Sequence, residues 1–421
     1  MGAWIFIGAI THDGSAANYA NYANSRESVR VSFAQFAVRS PIFIGAITHD
    51  SVRVHSRNSR NSRLILFPLP HHHLDHNHFH LHPLAAFAKM PPMLRLLLAI
   101  QILLFLLAHS QKPTRPPRPG VKTPGVRVPI TALKPDAIFE VPGAPDWIAI
   151  DESVWISNEP KNTVARLDPK SNKVLSIIPV GNKPCSGLAT GFGSLWVPLC
   201  GDQALARVDL KEGKVTATIP IGIGNDEGGL AEGAGSIWLV TDKKGTLARI
   251  DPVTNKVVAE IQVPPGSFTV AFGEGSVWVT GTQTNVLTRI NPDTNLVVET
   301  IAVGKAPRFL TIGGGFIWTL NQTNGDVSKV DPKTNKVVET IEVGVPGPGG
   351  EIAFGEGSVW VTAFEFPISR IDPAVGKVVQ QFAGEGGDAI RVGHGSVWLS
   401  NIRAGTVWRL DPRRIAATVP Q

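Results

Sequence analysis

Gly275-Ser276-Val277-Trp278-Val279-Thr280 decides the fold, because close copies of this stretch return six more times between residues 147 and 402. The tryptophans are Trp155, Trp196, Trp238, Trp278, Trp318, Trp360 and Trp398, spaced by 41, 42, 40, 40, 42 and 38 residues. A fixed period near forty marks a repeat architecture. One unit, read from Ser267, is an apolar run over 267–272, a Gly273-Glu274-Gly275 turn, the tryptophan strand, a variable loop, and then residues 286–304. These are four short segments rich in Val, Ile and Thr, bounded by glycine and Asn/Asp-Pro turns, with no helical period. The expected unit is a four-stranded antiparallel meander, the blade of a β-propeller, whose radial repetition leaves few long sheet edges exposed.

Strand composition and turn chemistry agree. Ser276-Val277-Trp278-Val279-Thr280 is apolar on consecutive positions, as expected of a strand covered on both faces by neighbouring blades. Asp331-Pro332-Lys333-Thr334-Asn335-Lys336 puts Asp and Pro at the first two positions of a type I turn and Asn where a left-handed backbone is tolerated. Asp251-Pro252, Asp372-Pro373 and Asp411-Pro412 repeat the device.

The seventh repeat has three strand-like segments, at 388–392, 396–400 and 406–410, but only residues 415–421 come after Arg413-Arg414. Upstream of the first repeat, Ala137-Ile138-Phe139-Glu140-Val141-Pro142-Gly143 matches the fourth segment of other units, such as Val338-Glu339-Thr340-Ile341-Glu342-Val343-Gly344. The expectation is an all-β, seven-bladed propeller over residues 130–421, closed by this N-terminal strand completing the last blade.

Residues 1–89 read differently. Ile5-Phe6-Ile7-Gly8-Ala9-Ile10-Thr11-His12-Asp13 recurs unchanged at 42–50, and a histidine-rich tract spans 71–82. Such low complexity rarely builds a core. The histidines have metal-binding chemistry, but the next segment of the chain argues against a role for them. Over residues 90–110, Met93-Leu94-Arg95 precedes a thirteen-residue apolar run interrupted only by Gln101, then Ala108-His109-Ser110 and Gln111. A basic start, an apolar centre too short to span a bilayer comfortably and small residues at the cleavage positions describe a secretory signal, cut near Ser110-Gln111. Two accounts fit this arrangement. Either translation starts at Met90 or Met93 and residues 1–89 are a mis-assigned start, or they are a cytoplasmic extension before an internal anchor. The expectation is an exported protein, periplasmic or extracellular, monomeric, with no membrane span after cleavage. Residues 111–129, rich in proline and basic residues, read as a stiff extended linker.

Charge divides along the same boundary. Residues 1–129 carry 14 Lys and Arg against 4 Asp and Glu, and residues 130–421 carry 26 against 30, so the overall +6 is +10 and −4. The propeller is mildly acidic without a basic stripe, which argues against nucleic acid as a partner. The two cysteines, Cys185 and Cys200, flank the hairpin turn at 191–194 symmetrically, and export permits a cross-strand disulfide between them. Free thiols are the alternative; either way the pair is structural, since no histidine lies near in sequence to activate a thiol.

Residues needed seven times belong to the scaffold. The tryptophans read as inter-blade packing, and the basic residues after them (Arg166, Arg207, Arg249, Arg289, Lys329, Arg370, Arg409) as anchors of the turn between the last two strands of their blade. Function should lie in what does not repeat, on the face that carries the crossings between blades and the loops joining second to third strands. Binding candidates there are Asp146, Trp147, Asp226, Glu227, Arg308, Glu351, Phe364, Asp388 and Arg403. Asp226, Glu351 and Asp388 are candidate oxygen ligands for Mg2+ or Ca2+, the aromatics form a candidate ligand platform, and solvated rim charges are the alternative reading.

The pattern Gly-Ser-Val-Trp-Val-Thr, then Arg-Ile-Asp-Pro-x-Thr-Asn-Lys-Val-Val, resembles the exported YVTN-type propeller repeats and the superfamily that contains virginiamycin B lyase, over about residues 137–414. The resemblance implies a seven-bladed fold. That lyase family opens a cyclic depsipeptide by Mg2+-assisted elimination, with histidine and glutamate on the channel face. The propeller region here holds one histidine, His394, at the tip of the turn between first and second strands, on the opposite face from the crossings. Only the acidic side of such a site is matched in kind, by Glu351, Asp388, Asp226 and Glu227. No nucleophile elbow, zinc-protease helix or phosphate-binding glycine loop occurs. A module binding a small molecule, ion, peptide or protein on the channel face is favoured over an enzyme, with a lyase of this type and an envelope scaffold as alternatives.

Overall fold

Ser267–Gly273, Ser276–Gly281, Val286–Asn291 and Leu296–Ala302 hydrogen-bond in that order as one antiparallel sheet, and the other six repeats do the same. The computed structural model describes residues 91–94 and 116–418; the expected signal segment and the low-complexity stretch before it lie almost wholly outside these residues. Seven blades stand in a ring. The first strand of each blade neighbours the first strand of the next, and that of blade seven (Ile390–Gly393) neighbours that of blade one (Pro145–Ile150). No described helix is long and apolar enough to cross a membrane.

Burial varies with position within the blade. Every residue of the second strand Ser276–Gly281 is buried, whereas in the outermost strand Leu296–Ala302 only Ile301 is. The turn from first to second strand is two residues with positive φ, Glu274 at 49° and Gly275 at 67° in blade four, the handedness that matches strand twist. Between third and fourth strands, Asn172, Asn255, Asn295 and Asn335 hold the left-handed position at φ of 56°, 57°, 58° and 55°.

The repeated tryptophans are fully buried, and six of them donate Nε1–H to the carbonyl of the glycine ending the preceding strand, for example Trp278 to Gly273 at 3.0 Å. The repeated basic residues reach further than their own blade. Arg289 lies over the Trp278 ring at 5.2 Å, donates Nε–H to Ser276 Oγ, and sends Nη1 to Pro332 O (2.7 Å) and Asn335 Oδ1 (2.9 Å) in the next blade. Arg207 and Arg249 do the same. Arg409 does it across the ring closure, to Pro169 O and Asn172 Oδ1 of blade one. In five blades the basic residue therefore anchors the turn of the following blade, rather than that of its own.

Ala137–Glu140 pairs antiparallel with Thr406–Leu410 as the fourth strand of blade seven, and Phe139 packs on Trp398 with ring centroids 5.6 Å apart. In place of a C-terminal strand there is a short helix, Pro412–Ala417, whose carbonyls at Ile415 and Ala416, with that of Thr418, accept from Gln380 Nε2. The described part of the proline-rich segment is docked on the propeller. Arg127–Pro129 adds a parallel fifth strand beside Lys377–Gly384 of blade six, Val121, Val126 and Val128 are buried, and Val121 N–H donates to Gln381 Oε1 at 2.8 Å. Arg118 reaches Pro346 O, Pro348 O and Phe364 O.

If the N-terminal strand closes the ring, Phe139→Ala should destabilise the protein by ~3–5 kcal/mol in a chemical denaturation experiment, the usual cost of emptying a buried aromatic site. A loss below ~1 kcal/mol would mean that closure does not depend on this strand.

A candidate ligand site at the channel mouth

The register of the first strands sorts the channel into layers. The residue paired with each tryptophan is Ala149, Ala189, Ala231, Ala271, Thr311, Ala353 or Arg391. Alanine in five blades keeps the wall thin; blade seven puts an arginine there. Two residues earlier in each blade stand Trp147, Gly187, Gly229, Thr269, Phe309, Glu351 and Ala389, and all but Ala389 line a central cavity of about 360 Å³. One residue earlier again, at the rim, stand Asp146, Ser186, Gly228, Phe268, Arg308, Gly350 and Asp388. The sequence candidates Asp146, Arg308 and Asp388 thus occupy one repeat position, and Trp147 and Glu351 the next.

The backbone is irregular at this level. Pairing slips between Pro145 and Ile148, Ser267 and Val270, and Pro307 and Phe309, the kind of bulge that re-aims side chains near sites. Hydroxyls two residues after the tryptophan take the displaced amides: Ser157 Oγ accepts from Trp147 N–H, Thr280 Oγ1 from Thr269, Thr362 Oγ1 from Glu351 (2.7 Å) and Ser400 Oγ from Ala389. Thr362 also donates to Asp388 O, so one hydroxyl joins the backbones of two site carboxylates. Gly350, at φ +85°, passes so close to Thr362 O that a side chain there would collide.

Four carboxylates and two guanidiniums gather at the mouth. Glu351, 4% exposed, pairs with Arg391 Nη2 at 2.6 Å and accepts from Ile390 N–H at 3.1 Å. Burial nevertheless raises its carboxyl above the ordinary range, because the cost of desolvation exceeds the help from Arg391 and Ile390. Arg308 pairs with Glu227 and lies over the Phe268 ring at 4.4 Å and that of Phe309 at 5.5 Å; burial pulls its guanidinium down against the pull of Glu227 and Asp388. Asp146 and Asp388 have no ion-pair partner among the described residues. Burial first, then the Glu227 and Glu351 charges, pushes Asp388 up to about 7, the Gly350 amide and Arg308 offsetting part of this. Asp146 is also raised well above its ordinary value, by burial and then by Asp388, Glu227, Glu351 and Glu159. Both aspartates keep some contact with solvent, so their burial is enclosure within the mouth.

Trp147 and Phe309 lie 5.8 Å apart by ring centroid and Phe268 meets Phe309 edge-on at 6.1 Å, which makes an apolar wall beside the acids. Four buried side-chain polar atoms lack a hydrogen-bond partner among the described residues, and three are in this site: Trp147 Nε1, Thr269 Oγ1 and Arg308 Nε.

Three sequence candidates fall outside the mouth. Asp226 is exposed and bound to Lys183 Nζ at 2.7 Å, which raises the lysine pKa. Phe364 and Arg403, with the guanidinium 5.0 Å over the ring, line a separate depression of about 180 Å³ between blades six and seven. His394 is in an exposed turn at the far end of the first strand of blade seven, its Nε2 2.7 Å from Asp151 O. Sequence reasoning missed Arg391 and Thr269; Arg391 was detectable as the one charged first-strand residue among those paired with a repeat tryptophan.

The candidate metal ligands Asp226, Glu351 and Asp388 do not meet. Among the described residues the one group of three potential ligands within 4.8 Å is Cys185, Cys200 and Asp226, and its sulfurs form a disulfide with Cα atoms 5.8 Å apart. Mg2+ wants a near-octahedral set of oxygens, so the residues present do not fit such a centre. The disulfide instead braces the loop before blade three, where Glu227 N–H donates to Cys185 O and Ser186 Oγ to Gly228 O.

No protein-family model matches the sequence, and no curated protein matches it. Among solved structures, the chain is similar to selenomethionine-substituted virginiamycin B lyase from Staphylococcus aureus at 17% identity and a TM-score of 0.55, over 65% of this chain and 98% of the lyase. A catalytically inactive form of that lyase with quinupristin gives 17% and 0.54, over 65% and 98%. Hydrazine synthase of Kuenenia stuttgartiensis gives 13% and 0.55, over 64% and 95%. At such identities the likeness is one of fold.

A carboxyl raised to about 7 in the folded protein, against an ordinary 3.8, binds its proton more tightly folded than unfolded. The resulting stabilisation is complete below pH ~4 and is lost as pH rises through ~7. Asp251 and Asp331, lowered first by turn amides, act oppositely and lose their contribution as pH falls below ~4. The melting temperature should therefore rise on going from pH 8 to pH 5, and Asp388→Asn should flatten that slope. A flat profile in the parent protein would contradict the assignment.

Proposed function

We propose that this propeller is an exported binding module that takes a small ligand carrying a positive charge at its channel mouth. The observation that carries the reading is the pair Asp146 and Asp388, enclosed beside two further carboxylates, with both local guanidiniums already engaged by Glu227 and Glu351. Keeping like charges in a partly desolvated mouth costs stability unless a proton or a cation joins them. The wall of Trp147, Phe268 and Phe309 suits the apolar body of an organic cation. Export is supported by the signal-like segment over 90–110 and by the Cys185–Cys200 disulfide, since such bonds persist in oxidising compartments.

One observation favours a second reading. A carboxyl near 7 suits a general acid or base at neutral pH, and virginiamycin B lyase shares the fold. In a carbon–oxygen lyase on this scaffold Asp388 would take the α-proton while the leaving oxygen departs, and Arg308 would face the developing negative charge. Among the described residues the mouth holds neither a histidine nor three carboxylates close enough to share a metal ion, which ranks this reading second.

The binding reading requires phenethylammonium to raise the melting temperature in a concentration-dependent way, more at pH 8 than at pH 6 because ionised Asp388 is the partner, and Asp388→Asn to abolish the effect. Equal shifts in parent and variant would refute it. For the lyase reading, incubation with a type B streptogramin, with and without Mg2+, should yield a linear product of unchanged mass, separable by chromatography and lost in Asp388→Asn. No turnover would eliminate it.

A further inference from the structure

We infer that the ligand of the channel mouth is an α-ammonium compound, a free amino acid or the amino-terminal end of a linear peptide; this rests on the cation-binding reading above and narrows it. Two sets of unmet needs lie within one site. Asp146 and Asp388 are enclosed carboxyls with no ion-pair partner among the described residues, so once ionised they lack a counter-charge. Trp147 Nε1 and Arg308 Nε are buried donors without acceptors among the described residues, and neither group can accept a hydrogen bond. Thr269 Oγ1, also unpartnered, lines the same cavity as Trp147.

These groups are contiguous. Trp147 packs on Phe309, Arg308 lies over Phe309 and Phe268, and Arg308 and Asp388 act on one another electrostatically. A bare metal ion would answer the carboxylates and leave the donors worse off, since N–H groups repel cations. A simple amine would answer the carboxylates and leave the buried donors unmet. A ligand that carries an oxygen acceptor three bonds from its ammonium nitrogen answers both at once. The α-amino acid backbone has that spacing, with carbonyl or carboxylate oxygens beside a charged nitrogen.

Size and openness agree. The cavity of about 360 Å³ is at the small end of ligand sites. Gly187 and Gly229 add no side chain at their positions in the wall, and Gly187 packs beside Trp147.

The test is calorimetric titration of the purified protein at pH 7.4 with four probes: phenylalanine, the dipeptide phenylalanyl-glycine, phenethylamine, which lacks the acceptor, and N-acetylphenylalanine, which lacks the ammonium. At least one of the first two should bind about tenfold more tightly than phenethylamine, the worth of one satisfied buried donor. N-acetylphenylalanine should bind weakest of all. Which of phenylalanine and the dipeptide wins identifies the free amino acid or the peptide end as the ligand. Trp147→Phe and Thr269→Val, each checked for an unchanged fold by circular dichroism, should reduce that advantage to about threefold or less in at least one variant. An advantage undiminished in both overturns the assignment of the acceptor contact. Phenethylamine binding as tightly as both α-ammonium probes, and lost in Asp388→Asn, overturns the inference while leaving the cation-binding reading intact. No binding by any amine overturns both.

Discussion

The ring depends on a single repeated contact, a buried tryptophan capped by a basic side chain that belongs to its own blade and bonds to the next. The tryptophan fills the blade core and settles its indole N–H on a local carbonyl. The arginine above it turns the indole face into a cation–π partner, binds a serine at the start of the tryptophan strand, and delivers its remaining donors to the proline carbonyl and asparagine amide of the neighbouring turn. A left-handed asparagine is needed there to present that amide. Trp, Ser, Arg, Pro and Asn therefore recur together because they are parts of one seam. Arg166 and Arg370 lack this reach: the turn of blade two reads Asp209-Leu210-Lys211-Glu212-Gly213, with neither proline nor asparagine, and Arg370 turns to Gln380. At the seam between blades six and seven the channel-mouth residues supply the missing link, through Glu351 with Arg391 and Ile390, and through Thr362 with Asp388. The candidate site and the scaffold share atoms at that seam.

Placing the site is then a matter of where seven equivalent positions stop being equivalent. The rim and wall layers carry Asp, Ser, Gly, Phe, Arg, Trp, Thr, Glu and Ala at positions whose backbone roles are the same. The terminal hydroxyl of the tryptophan motif supports this variety. In blades one, four, six and seven it accepts the amide of the wall residue, so the wall side chain can change without orphaning its own backbone. In blades two, three and five that position is Pro198, Val240 or Leu320.

The fold was legible because a period and a turn chemistry are local properties that seven copies average into certainty, and the closing strand was legible as an eighth copy of a fourth strand. The docked segment around Arg127–Pro129 was not, since it repeats nothing and its prolines describe an extended chain whether or not that chain meets a sheet edge. The acidic mouth was half legible. Asp146, Glu227, Arg308, Glu351 and Asp388 could be recognised as departures from the repeat, but their convergence depends on direction. Strand entrances turn toward the axis, which gathers Asp146, Arg308 and Asp388. The loops between second and third strands turn outward, which removes Phe364 and Arg403 to a depression of their own. A linear reading could not separate these two kinds of loop, nor show that Asp226 binds Lys183 while adjacent Glu227 pairs with Arg308.

The aspartates themselves argue that the mouth is more than a solvated rim. At the same repeat position blades two, three and six carry Ser186, Gly228 and Gly350, so the fold closes without a charge there. Solvated rim carboxylates would titrate near their ordinary values; these two are enclosed, repel one another and hold their protons well above that range. A structural role is also hard to assign, because the cations that would offset their burial are taken by Glu227 and Glu351. Once ionised, the two aspartates have no ion-pair partner among the described residues, and the nearby indole and guanidinium donors lack acceptors among them. A site whose acids lack cations and whose donors lack acceptors has the form of one half of a binding equilibrium, and the missing half must bring both.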